Sequence, residues 1–142
     1  VLCQIQERMP IIFPMHPRTR KMLSEFDLNG MLESARNLII TEPLGYLEFL
    51  KLEATAFLVL TDSGGIQEET TVLGIPCLTL RENTERPITI WEGTNELVGS
   101  NPQKVLERTY AILNGERKTG KVPHFWDGHA AERIVEILLN KL

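Results

Sequence analysis

Cysteine is nearly absent from this chain of 142 residues: Cys3 and Cys77 lie far apart, with no Cys or His beside them at metal-ligand spacing. That spacing excludes a disulfide framework, gives no expectation of a bound metal or cofactor, and fits reduced thiols in a cytoplasmic protein. No apolar run approaches the roughly 20 residues that cross a bilayer, and no basic stretch leads into a signal-like apolar segment. A soluble domain without a membrane partner is expected. A one-signed charge is missing too: the net charge of −4 arises from interspersed acids and bases. With no basic stripe to follow a phosphate backbone, nucleic acid is not an expected partner. No G-x-G-x-x-G follows an apolar run, which disfavours a dinucleotide-dependent dehydrogenase. Internal repeats and low-complexity segments are also lacking.

What remains is ordinary globular composition, 42% hydrophobic and 24% charged. The length suits one α/β domain over residues 1–142, burying roughly 70% of the surface its unfolded form exposes. Val1 in place of an initiator Met fits a piece of a longer protein.

Four short runs rich in β-formers read as buried strands: Ile11 to Phe13, Leu38 to Thr41, Phe57 to Thr61 and Cys77 to Leu80. Between them, helical spacing covers Arg18 to Phe26, Tyr46 to Ala54 and Ile66 to Leu73, the last closed by Gly74 and Pro76. Strand and helix alternate, which predicts a parallel sheet covered on both faces, with every strand's carboxyl end on one ligand-binding rim. After a polar loop, Arg81 to Arg86, come Ile88 to Trp91 and a short apolar Leu97-Val98. Pro102 suits the first position of a helix reaching Leu113, with Gly115 beyond it. Gly120 to His124 reads as a loop. A final helix over Ala130 to Leu142 carries an apolar stripe at Ile134, Val135, Ile137, Leu138 and Leu139, wider than one surface face needs and suited to docking on something outside the chain.

The strongest local motif is Thr61-Asp62-Ser63-Gly64-Gly65, between a strand and a helix. Free N–H groups and the positive end of the dipole favour an anion there, and glycines admit a bulky oxyanion. The alternative is a capping serine followed by a glycine turn. Glu68 and Glu69 suit a helix start for dipole reasons alone, or one of them accepts from the paired hydroxyls of a ribose. His16, Arg18, Arg20 and Lys21 put positive potential on the same rim, though a solvated helix start accounts for Arg20 and Lys21. Arg86 could clamp a diphosphate or join a surface ion network.

Taken in order, His16-Pro17-Arg18-Thr19-Arg20, Tyr46 to Leu50, Thr61 to Glu69, Gly74 to Pro87 and Glu92 to Gly99 resemble the second domain of the non-hydrolysing UDP-N-acetylglucosamine 2-epimerases. The resemblance covers essentially the whole chain. It implies the C-terminal, Rossmann-like half of a GT-B fold, truncated at its N-terminus, with substrate held between two halves. By similarity Ser63, Gly64 and Gly65 hold the diphosphate, Glu69 the ribose hydroxyls and Arg86 a further phosphate oxygen, while backbone near Phe49 pairs with uracil. His16 corresponds to a contact for a second, activating UDP-sugar.

The implied reaction interconverts UDP-GlcNAc and UDP-ManNAc, eliminating UDP to leave a 2-acetamidoglucal and adding it back after the proton returns to C2 from the opposite face. Its acids and bases belong to the first half, so no catalytic residue is expected in this chain, which alone should be inactive. The expected partners are UDP-GlcNAc or UDP, the missing N-terminal domain and a second copy in a homodimer. A strand of the family that precedes the His-Pro motif, in the middle of the sheet, is also absent here. Other GT-B enzymes (a glycosyltransferase, a UDP-sugar hydrolase or a hydrolysing epimerase) and a non-catalytic nucleotide-sugar-binding module remain as alternatives.

Overall fold

The computed structural model describes residues 1–141; Leu142, the last position of the expected C-terminal helix, lies outside the described residues. The elements run α1 (Leu2–Ile5), β1 (Ile11–Pro14), α2 (Pro17–Glu25), α3 (Asn29–Glu33), β2 (Leu38–Thr41), α4 (Tyr46–Thr55) and β3 (Val59–Thr61). They continue with α5 (Gly64–Leu73), β4 (Cys77–Thr79), α6 (Pro87–Trp91), β5 (Asn95–Leu97), α7 (Pro102–Leu113) and α8 (Ala130–Lys141).

Local chemistry accounts for most boundaries. Pro17, Pro87 and Pro102 each open a helix, where the missing N–H costs nothing. Asn101 caps α7 by accepting from the Gln103 and Lys104 N–H groups. The Gly45 N–H donates to Glu48 Oε2 at 2.9 Å at the start of α4. Gly74 closes α5 in the left-handed region at φ 70°.

All strand pairs are parallel, as alternation demands, but they form two sheets rather than one. β1 pairs with β2, Ile11 against Leu38, while the second sheet runs β3-β4-β5, with Leu78 between Leu60 and Glu96. The facing edges of β1 and β3 do not bond to each other. Between them lies an apolar cleft of about 420 Å³ whose walls include Ile11, Phe13, Leu58, Leu60, Phe49 and Glu53. The expectation of a sheet covered on both faces fails at the first pair, because Ile12 and Ile39 remain about half exposed.

The core lies in the second sheet. Leu78 and Val98 pack against Val105 and Ile112 of α7, two helical turns apart, with Leu58 and Leu60 at the margin. Ile88 to Trp91 proves helical behind Pro87. Strand β5 was hidden by its polar letters: Asn95 is fully buried, and Glu96 is neutralised by both Arg108 Nε (3.0 Å) and an Arg108 terminal nitrogen (3.2 Å). Phe57 falls outside β3, where the Arg117 guanidinium lies 3.6 Å from its ring centroid. The apolar stripe of α8 is left largely uncovered by the described residues, every one of its five large side chains being more than half exposed.

Candidate functional site

Thr61 ends β3 and the chain turns through Asp62 into α5. Thr61 Oγ1 accepts from the Ser63 N–H at 3.0 Å, shaping the turn. Ser63 holds the N-cap position in extended conformation, yet its hydroxyl makes no capping bond. The capping role therefore does not occupy it. Neither Gly64 nor Gly65 has a positive φ, so the turn does not require glycine at either position. A Cβ on Gly64 would meet nothing within 4 Å, and one on Gly65 only Ser63 Oγ at 4.0 Å. What the absent side chains leave open is the space in front of a helix start whose first N–H groups lack intrahelical partners.

The loop after β4 closes over the same helix end. Arg86 Nε lies 2.9 Å from Glu68 Oε1, both side chains being partly exposed. An Arg86 terminal nitrogen also donates to the Glu85 carbonyl at 3.3 Å. Arg86 is thus brought beside α5, already paired with a carboxylate that an anionic ligand would have to displace.

Beneath both lies a polar hub that pattern reading missed. Gln67 is 1% exposed; its Nε2 donates to the Ser63 carbonyl at 3.1 Å. Its Oε1 accepts from Thr84 Oγ1 at 2.6 Å and from Asn95 Nδ2 at 3.1 Å. Thr84 Oγ1 in turn accepts from the Arg86 N–H at 3.0 Å, and Thr89 Oγ1 donates to the Arg86 carbonyl at 2.7 Å. Asn95 Oδ1 accepts from Thr79 Oγ1 at 2.6 Å, while its Nδ2 also donates to Thr89. One side-chain amide thereby ties the Ser63 turn to the Arg86 loop. A signal existed: Gln67, Thr70 and Thr71, all buried, fall at the i, i+3, i+4 spacing of a core stripe.

Among the described residues Glu69 accepts from no N–H or hydroxyl group and pairs with no cation. With Glu68, Tyr46, Leu50 and Trp126 it lines a cavity of about 510 Å³. Behind it, burial raises the Glu53 carboxyl to about 7, with the hydrogen bond and charge of Glu69 adding to the effect. Burial likewise pushes the Cys77 thiol up to about 11, keeping it neutral.

The remaining candidates lie elsewhere. The Phe49 N–H donates to the Gly45 carbonyl at 2.9 Å, and the residue faces the cleft between the sheets. The α4 residues that reach the Glu69 cavity are Tyr46 and Leu50. His16 is the N-cap of α2, its Nδ1 accepting from the Arg18 N–H at 3.1 Å. Arg20 pairs with Glu42 at 2.7 Å and Lys21 approaches Glu25 at 3.7 Å, the solvated arrangement considered from sequence. Among the described residues no hydrogen bond or ion pair joins this segment to Ser63 or Arg86.

Parallel strands between helices, with the open start of α5 on the carboxyl-end rim, define a Rossmann-like α/β domain of the type that forms the C-terminal half of GT-B folds. Comparison with known proteins narrows the class. The family model of UDP-N-acetylglucosamine 2-epimerase matches residues 1–139, and the chain belongs to this family. The UDP-N-acetylglucosamine 2-epimerase of Methanocaldococcus jannaschii is 52% identical over 128 residues, covering 90% of this chain and 34% of that protein. The Escherichia coli enzyme of the same name is 38% identical, covering 92% and 35% respectively. Among solved structures, the M. jannaschii enzyme in complex with UDP-GlcNAc and UDP superposes with a TM-score of 0.82 at 48% identity, over 98% of this chain and 38% of that one. The chain therefore spans little more than a third of the length of these relatives.

Proposed function

We propose that this chain is the UDP-holding half of an enzyme that interconverts UDP-GlcNAc and UDP-ManNAc. The observation that carries the reading is the start of α5, where Ser63 leaves its hydroxyl free and two glycines leave the approach open. The diphosphate sits there, receiving hydrogen bonds from the first N–H groups of the helix and from Ser63. Arg86 exchanges Glu68 for a phosphate oxygen, a geometry its two-pronged guanidinium suits. The ribose lies over Glu69, whose carboxylate accepts from adjacent hydroxyls, and uracil meets the α4 backbone in the turn from Tyr46 to Phe49. His16 contributes to a second UDP-sugar contact.

Retention of UDP is part of the chemistry. Elimination leaves a glucal that must meet the same UDP again, so the β-phosphate has to be stabilised as a leaving group and kept in place as a nucleophile. The proton at C2 is handled by groups of a first domain, and turnover needs both halves. A further strand of the longer protein, laid in the apolar cleft between β1 and β3, would join the two sheets. Work in the cytoplasm and assembly as a homodimer complete the proposal.

Calorimetric titration of UDP into the purified chain tests it. Saturable binding is expected, weakened about 10- to 100-fold in Arg86→Ala and in Glu69→Ala, the usual effect of removing a hydrogen bond to a charged group. A folded chain that ignores UDP would sink the reading. In a coupled epimerase assay the chain alone should show no turnover.

A further inference from the structure

Glu53 lies on the inward side of α4, one turn beyond Phe49. It is 3% exposed, and neither carboxyl oxygen has a hydrogen-bond donor. No cation pairs with it among the described residues. The titratable groups that face it are Glu69 on α5, within hydrogen-bonding reach, and Cys77 on β4. The Cys77 thiol is neutral across the ordinary pH range, so the local charge balance rests on two carboxyls. Two carboxylates in contact at a buried position do not both stay ionised. One keeps a proton, and a carboxyl–carboxylate hydrogen bond needs only that one. The deeper member keeps it: Glu53 faces the apolar cleft, whereas Glu69 opens onto the cavity beside Tyr46 and Trp126.

We propose that protonated Glu53 is a positioning residue that donates to Glu69 and thereby holds the Glu69 carboxylate charged and aimed into the cavity, ready to accept from the paired hydroxyls of a ribose. This rests on the reading of Glu69 given above. The role belongs to the acid form alone. Once Glu53 ionises, it repels Glu69 and the fixed orientation is lost, so nucleotide affinity falls as pH rises through about 7.

Carbon-detected NMR of the glutamate-labelled chain without ligand reads the proton directly. One carboxyl titrating near 7, absent from Glu53→Gln, is expected; midpoints all between about 4 and 5 would overturn the proposal. UDP affinity reads the consequence. The terminal phosphate of UDP itself ionises with a pKa near 6, so the quantity of interest is the ratio between wild type and Glu53→Gln at each pH. Glutamine keeps a donor and cannot titrate, so it should hold at pH 8.5 the affinity that wild type loses by about fivefold or more between pH 6 and 8.5. Glu53→Met, of similar bulk and with no donor, should bind weakly at both pH values while keeping the wild-type circular dichroism. A flat ratio together with loss of binding in Glu69→Ala would refute the positioning role alone. Retained binding in Glu69→Ala, or no UDP binding at any pH, would remove the ribose assignment and the positioning role with it.

Discussion

At the scale of single residues the site is defined by competition between charges. Glu68 holds Arg86 in a half-exposed pair, an interaction worth about 0–1 kcal/mol in such a setting. A phosphate arriving at α5 has to break it. Glu68→Gln should therefore raise UDP affinity about two- to fivefold by calorimetry; a fall would mean that Glu68 orients Arg86 rather than competing for it. Glu53 sets a second charge effect, on stability. The folded chain holds its proton up to about 7, whereas the unfolded carboxyl releases it near the ordinary 4.5. The native state binds more protons across that interval, so stability falls as pH rises from about 4.5 to about 7 and levels off above. Melting temperatures of wild type should show this slope, and those of Glu53→Gln should lack it.

At the scale of elements, α5 is a platform whose polar underside matters as much as its open end. Replacing Gln67 with Leu keeps the volume but leaves one Asn95 amide hydrogen and the Thr84 hydroxyl proton without an acceptor. Each buried group left unpaired costs about 1–3 kcal/mol. The variant should melt well below wild type, and UDP affinity should fall even where it remains folded, because the Ser63 turn and the Arg86 loop are no longer tied together. The loop after β5 is held from the other side. Gly99 adopts φ +67°, and a Cβ there would lie 2.3 Å from Glu82 Oε1, which accepts from the Ser100 N–H. Gly99→Ala combines left-handed strain with that clash and should lose about 1–3 kcal/mol in chemical denaturation. Adding Glu82→Ala should recover only the part due to the clash.

At the scale of the whole molecule, two surfaces are unsatisfied. The strand edges of β1 and β3 face a cleft without pairing across it, and α8 presents a row of large apolar side chains to water. Unpaired edges and apolar stripes both promote association. Sedimentation velocity should show concentration-dependent self-association of the isolated chain. Ile134→Lys with Leu138→Lys, one helical turn apart on α8, should reduce it without lowering the melting temperature, since neither side chain is buried. A sharply melting monomer at all concentrations would show that these surfaces are tolerated as they stand.

Much of this protein was legible from local signals. Pro17, Asn101-Pro102 and Gly74 mark helix ends through backbone chemistry that operates within a few residues, and the strand–Ser–Gly–Gly–helix order alone placed a glycine-flanked helix start on the rim. The same signals marked Ser63 and Arg86 as candidates beside plainer capping and surface-pair readings, whereas Glu69 was singled out over Glu68 only by the resemblance to the epimerase family. Their partners were not legible, because those partners come from distant parts of the chain. Gln67 meets Thr84 and Asn95, 17 and 28 positions further on, and Asn95 reads as a loop residue until its neighbours are known. Glu53 resembles any helical glutamate until packing removes its water. Composition, periodicity and capping thus determined the first four strands, the longer helices and which helix start faces the rim, but not β5 or the short helices α1, α3 and α6. Tertiary structure decided which carboxyl keeps a proton, which carboxylate holds Arg86, and that the strands divide into two sheets, since each depends on contacts between segments distant in sequence.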